Sequence, residues 1–201
     1  METTKEMTLQ EIQKALGYRV KIVDEKEKKK LADIEVGKPF KVGDLEFVAL
    51  EHFEEESAVI LKEFWQQAQF DEDTNNYAES DIREKLNTDF YNQLSAIVGK
   101  DNIVEHSVDL TSDDGRKDYG SCDDYISLLT CDLYRRYVSI LDEYRPDDWW
   151  WLATPYSTES NGYAALVRCV YHDGTLIYVN FINRLGVRPF CILKSNIFVS
   201  E

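Results

Sequence analysis

Carboxylates dominate the chemistry available to this 201-residue chain. There are 38 Asp and Glu against 23 Lys and Arg, for a net charge of -15. The run Asp71-Glu72-Asp73-Thr74-Asn75 begins like a calcium-binding EF-hand loop. That loop needs Gly at its sixth position for a sharp turn and a bidentate Glu at its twelfth; here those positions hold Asn76 and Ile82, so the motif is rejected. Asp113, Asp114 and Asp118 are read in the same way, as a solvated acidic loop. The three histidines, His52, His106 and His172, are too dispersed for a metal-ligand spacing. Cys122, Cys131, Cys169 and Cys191 form no Cys-x-x-Cys pair, and buried free thiols in a reducing compartment are expected. No Gly-x-Ser-x-Gly elbow supports a serine nucleophile, and no glycine-rich loop is present to cradle phosphate. The expectation is a protein that is not an enzyme, with no metal and no cofactor.

Aromatic groups are the second chemical resource, at 12% of residues, and Trp149-Trp150-Trp151 is their densest run. On an alternating strand Trp149 and Trp151 share one face and Trp150 takes the other. Core packing is the simpler reading of this run, and Trp150 is kept as an outlying candidate for contact with a ligand.

Several elements must position these groups. Thr8-Leu9-Gln10-Glu11 fits a capping box, and Leu9, Ile12 and Leu16 then share one helical face before Gly17. A strand is expected over Tyr18 to Val23, and residues 1–33 as a whole read as a helix-strand appendage to a domain over 34–201. Pro39–Val42 and Leu45–Leu50 flank Gly43-Asp44 as a hairpin, with a third strand over Ser57–Leu61. Ser80 is placed to cap a helix whose Ile82, Leu86, Phe90 and Leu94 recur every four residues. A further helix starts at Thr130, with Leu133, Tyr134, Tyr137, Val138 and Leu141 inward. Strands are then expected from Trp149, over Tyr163–Val170 and Leu176–Ile182 around an Asp173-Gly174 turn, and over Val187–Leu193. Short strands with two or three helices, without alternating βαβ units, make the fold class α+β.

Composition narrows the partners. An acidic surface repels phosphates and anionic membranes, so nucleic acid is not expected as a partner. No run of about 18 apolar residues is present, and the start of the chain lacks the apolar core of a signal peptide, so membrane insertion and secretion are not expected. The expected location is cytoplasmic or virion-associated.

Four motifs in a fixed order carry a resemblance: Trp151-Leu152-Ala153-Thr154-Pro155, Tyr163-Ala164-Ala165-Leu166-Val167, Asp173-Gly174-Thr175 and Gly186-Val187-Arg188-Pro189-Phe190. Together with Ile82-Arg83, Leu86-Asn87, Phe90 and Ile126-Ser127-Leu128-Leu129, they resemble the bacterial and phage DUF6273 family over residues 38 to 193. The resemblance implies a C-type-lectin-like fold of the formylglycine-generating type, with short antiparallel strands. The same fold serves the variable proteins of diversity-generating retroelements, where a C-terminal segment altered at adenines displays a ligand-binding face. Asn codons changed in that way yield the residue set found in Tyr171-His172-Asp173 and Ile177 to Asn183. The ligand-binding set expected from this is Tyr171, His172, Ile177, Tyr178, Asn180, Phe181, Asn183, Arg184 and Leu185, with Trp150 outlying. The ligand would be a protein or a surface. Formylglycine-generating enzymes act through a nearby cysteine pair; Cys169 and Cys191 stand 22 positions apart, and no catalytic residue is carried over. Arg188 is expected to pair with an internal carboxylate. The alternative is an intracellular phage or prophage protein that inhibits a basic host protein through its acidic surface.

Overall fold

The computed structural model describes residues 13–14 and 28–200. Gln13 and Lys14 are helical; the rest of the helix expected around Leu9–Leu16, and the strand expected over Tyr18–Val23, lie outside the described residues.

The chain runs β1 (Lys29–Lys30), β2 (Pro39–Val42), β3 (Leu45–His52), β4 (Glu56–Leu61) and β5 (Gln66–Ala68). A helical block follows: α1 (Asp81–Lys85), a π-turn (Leu86–Phe90) and α2 (Tyr91–Val98). Next come β6 (Ile103–Val104), β7 (His106–Asp109), β8 (Ser121–Asp124), β9 (Ile126–Ser127) and α3 (Cys131–Leu141). The C-terminal part contributes β10 (Trp150–Pro155), β11 (Leu166–Val170), β12 (Leu176–Asn180), β13 (Leu185–Val187), β14 (Phe190–Lys194) and β15 (Phe198–Val199). The fold class is α+β, as the patterning implies.

Two sheets form the frame. One has the order β2-β3-β4-β14-β6, with β9 also on β14; the other is mixed, with the order β12-β11-β10-β13-β5 and a parallel β10–β13 pair. Central strands are buried on both faces. Phe47, Ala49, Val59 and Leu61 enter the larger core with Ile82, Leu86, Phe90 and Leu94 of the helical block. Their alternates Val48, Leu50, Ala58 and Ile60 enter a second core under α3, with Tyr134, Tyr137 and Leu141. The tryptophan run obeys the same alternation. Trp151 lies in the larger core, donating its indole N–H to the Ala68 carbonyl at 2.9 Å, and Trp149 packs at the margin of that core. Trp150 lies in the second core, edge-on to Tyr134 at 5.8 Å.

The expected Ser80 cap forms, accepting from the Arg83 backbone N–H, and the helix expected to start at Thr130 is capped by that residue, which accepts from the Leu133 N–H; the Thr8–Glu11 capping box lies outside the described residues. Val138, expected to face inward, is instead exposed, because the stripe of α3 is centred on Tyr134, Tyr137 and Leu141. Two further expectations change. The closing strand expected over Val187–Leu193 is two strands in two sheets, broken at Arg188-Pro189, where proline supplies no donor to a ladder. Among the described residues Arg188 forms no ion pair, and Glu63 acts on it only at a distance. It is 1% exposed, donates from Nε to the Leu61 carbonyl at 2.8 Å, and lies over the Trp150 ring at 5.4 Å. Gly186 sits where a Cβ would meet the Phe64 ring at 2.5 Å, so this strand position accepts no side chain without moving the ring.

The boundary expected after residue 33 falls inside the packed body. Leu31 is fully buried, and β1 pairs with β15 through Lys29↔Val199 and Lys30↔Phe198. No helix among the described residues is long and apolar enough to cross a membrane.

Candidate functional site

The two acidic loops flagged in the sequence have structural roles. Asp71 Oδ1 accepts the backbone N–H groups of Asp73 and Thr74, and Oδ2 accepts that of Asp81 at the start of α1. In the second loop, Asp114 accepts hydroxyl hydrogen bonds from Ser112 at 2.5 Å and Ser157 at 2.7 Å. Asp118 accepts from Thr158 and from Ser160. These hydroxyls hold both carboxyls below the usual Asp range, because they stabilise the ionised form. The loop before β8 is thereby tied to the loop after β10.

Asn75 completes the tie. It is fully buried, and its amide nitrogen faces the carbonyls of Ser157, Tyr163 and Leu166 at 2.8, 3.0 and 2.9 Å. Its Oδ1 accepts from the Tyr119 hydroxyl at 2.7 Å. The 156–163 loop is therefore held against β11 by a side chain 80 or more positions upstream.

This framework presents a tyrosine cluster. Tyr178 of β12 packs on Tyr156 at 4.4 Å, and Tyr156 meets Tyr163 edge-on at 5.8 Å. Tyr163 and Tyr178 are each 49% exposed. Beneath them Arg168, the cross-strand partner of Tyr178, places its guanidinium 5.6 Å from the Tyr156 ring and 5.9 Å from the Tyr178 ring. Asp113 fixes that arginine: Oδ2 accepts from Arg168 Nη2 at 2.5 Å and Oδ1 from Arg135 Nη2 of α3 at 3.0 Å. Beside this bridge lies a polar cavity of about 170 Å³, lined by Thr111, Ser112, Asp113, Thr130, Arg135 and Thr154 among others.

The residues expected to bind a ligand are spread around the β11–β12 hairpin. Tyr178 alone joins the cluster. Tyr171 and His172 sit at the turn, with rings 3.9 Å apart and Tyr171 edge-on to Trp149 at 4.7 Å. Gly174 closes this turn with φ +89. Ile177 and Phe181 pack against the larger core. Asn180 organises the far turn, its Oδ1 accepting the Ile182 N–H and its carbonyl the Asn183 side chain. Asn183 is exposed, as is Arg184, which donates to the Gln67 carbonyl at 2.8 Å. Leu185 and Trp150 are buried and reach no surface, which corrects their place in the expected set.

Residues 134–195 match the model of DUF6273, a domain of unknown function. The matched segment runs from α3 through β14 and contains Arg168, Tyr156, Tyr163 and Tyr178; Asp113 and Asn75 lie upstream of it. No curated protein and no solved structure matches the chain.

Three members of the site were not expected from the sequence: Tyr156, Tyr163 and Arg168. Arg168 carried a usable signal, as the one charge inside Leu166-Val167-Arg168-Cys169-Val170. A charge in the middle of an apolar strand marks a face that meets either solvent or an opposite charge.

Proposed function

We propose that this chain is a non-enzymatic ligand-binding protein whose binding face is the exposed side of β11 and β12 together with the 156–163 loop. The scaffold is read as C-type-lectin-like, of the kind used by the variable proteins of diversity-generating retroelements. The observation that carries the reading is the cluster of half-exposed Tyr163 and Tyr178 around the partly buried Tyr156, on a clamped arginine. Tyrosine offers large amphipathic contact area at a small cost in side-chain entropy, which is why binding surfaces favour it. A fixed base lowers the ordering cost of association further. The carboxylates here serve as struts: Asp113 is held by two arginines and Asp114 by hydroxyls, whereas a general base needs reach to a substrate proton.

The test uses peptides selected from a displayed random library on the intact protein. Changing Tyr163 and Tyr178 to Ser together is expected to weaken the selected peptides at least tenfold, with unfolding unchanged. Peptides that ignore both substitutions sink the proposal. The variable-protein reading has its own test. Near-identical copies of the coding region should differ at adenines of a template repeat within the codons for Tyr171 to Leu185; evenly scattered differences sink it.

A second reading rests on the net charge of -15: an inhibitor of a basic host protein, with binding lost as salt rises and indifferent to the tyrosines.

A further inference from the structure

The edges of the two frame sheets are unequally protected. β2 carries Pro39 and Lys41, and Lys41 exchanges both backbone hydrogen bonds with Ser200, at 2.6 and 3.1 Å. β5 is three residues long, and its Gln67 carbonyl is taken by Arg184. β6 is two residues long. At the remaining edge, β12 is five residues long, reads Leu-Ile-Tyr-Val-Asn, and has neither charge nor proline. Edge strands are ordinarily blunted by charge, proline or shortness, because a bare edge is a template for another strand.

The register settles which groups face outward. Phe181 N–H bonds to the Ala165 carbonyl, and Tyr171 N–H to the Thr175 carbonyl, at the two ends of the β11–β12 ladder. Hydrogen-bonded pairs alternate in an antiparallel ladder. Ile177 and Val179 therefore bond to β11, while the N–H and C=O of Leu176 and Tyr178 point away from it. Among the described residues no partner is present for these four groups.

We propose that β12 takes up an extended segment of another polypeptide by strand addition. This rests on the binding reading above and names the partner's form. Main-chain bonds would supply affinity that tolerates many sequences, and alternate side chains would supply selectivity. The partner's residue beside Tyr178 falls on the tyrosine face, and those beside Ile177 and Val179 extend the apolar face that packs on the larger core. The segment is thus apolar at alternate positions and neutral or basic, since the host carries -15. A second copy of this chain fits less well. A five-residue edge, roughly 17 Å long, gives only a narrow ladder contact, whereas a stable pair buries about 800 Å² per partner, and two equally acidic chains repel.

The test takes the library-selected peptides and follows amide hydrogen exchange in the full chain by NMR. Strand addition predicts at least tenfold slower exchange at Leu176 and Tyr178 on adding peptide, with Ile177 and Val179 protected before and after. Tyr178→Pro, which removes an outward N–H as well as the ring, should bind at least tenfold more weakly than Tyr178→Ala; the exchange measurement on the unaltered protein decides if the proline variant does not fold. Peptides that need Tyr163 and Tyr178 but leave both amides unchanged overturn strand addition alone. Peptides indifferent to tyrosines and amides alike overturn the binding face too. Protection of the two amides by self-association, seen as a concentration-dependent dimer without peptide, also overturns the proposal.

Discussion

At the scale of single residues, burial decides chemistry that residue type leaves open. Burial pushes the Cys131 thiol up to about 11 and the Cys169 thiol up to about 12, against an ordinary value of 9.0. Both stay protonated in the fold where an unfolded chain has begun to ionise. Because their folded values are raised, the stability they contribute is complete below about pH 9 and is lost as pH climbs through 11 and 12. Urea midpoints should therefore fall between pH 9 and pH 11, and the double variant Cys131→Ala, Cys169→Ala should show a shallower fall. An equal fall in the variant would assign the alkaline loss elsewhere. Arg188 makes the same point about burial: its charge lies over Trp150 with one carbonyl partner, and desolvation brings it down to about 10.

At the scale of elements, the face is assembled by struts that join distant segments. Asn75 pins the 156–163 loop through three carbonyls and takes a fourth bond from Tyr119. Asn75→Asp keeps the size but turns a carboxylate oxygen toward those carbonyls. A buried carboxylate set against three carbonyls, with only the Tyr119 hydroxyl as donor, costs at least about 3 kcal/mol, so the variant should unfold at markedly lower urea. At low urea its amides at Asn161 to Tyr163 should exchange faster than in the parent. Unchanged stability would remove Asn75 as the strut. The ends of β11 and β12 at the Asp173-Gly174 turn, Val170 and Leu176, were readable from the sequence; their far ends were not, since β11 starts at Leu166 rather than Tyr163 and β12 ends at Asn180 rather than Ile182. The break at Arg188-Pro189 was not readable either, because an apolar run says nothing about which sheet its two halves join.

At the scale of the whole molecule, one body begins upstream of the boundary the sequence implied. Leu31 and Ile34 are buried and β1 pairs with β15, so a chain starting at Ile34 loses core and strand together. Burial of a leucine contributes roughly 1.5–3 kcal/mol. A chain starting at Lys28 should therefore melt several degrees above one starting at Ile34. Equal melting temperatures would show that β1 and Leu31 add nothing.

Local patterning by itself determined the α+β class, the Ser80 cap, the Gly43-Asp44 hairpin and the opposed faces of Trp150 and Trp151. Each of these depends on neighbours within a few positions, where the periods of helix and strand apply. The tertiary structure decided the rest. Trp150 left the surface because α3 covers that face of β10, a fact of layering. Asp113, Arg168, Tyr156 and Tyr178 met because strand register and loop closure brought together positions as much as 65 apart in the chain. Periodicity carries the face a side chain takes; it carries nothing about which distant side chain will stand opposite.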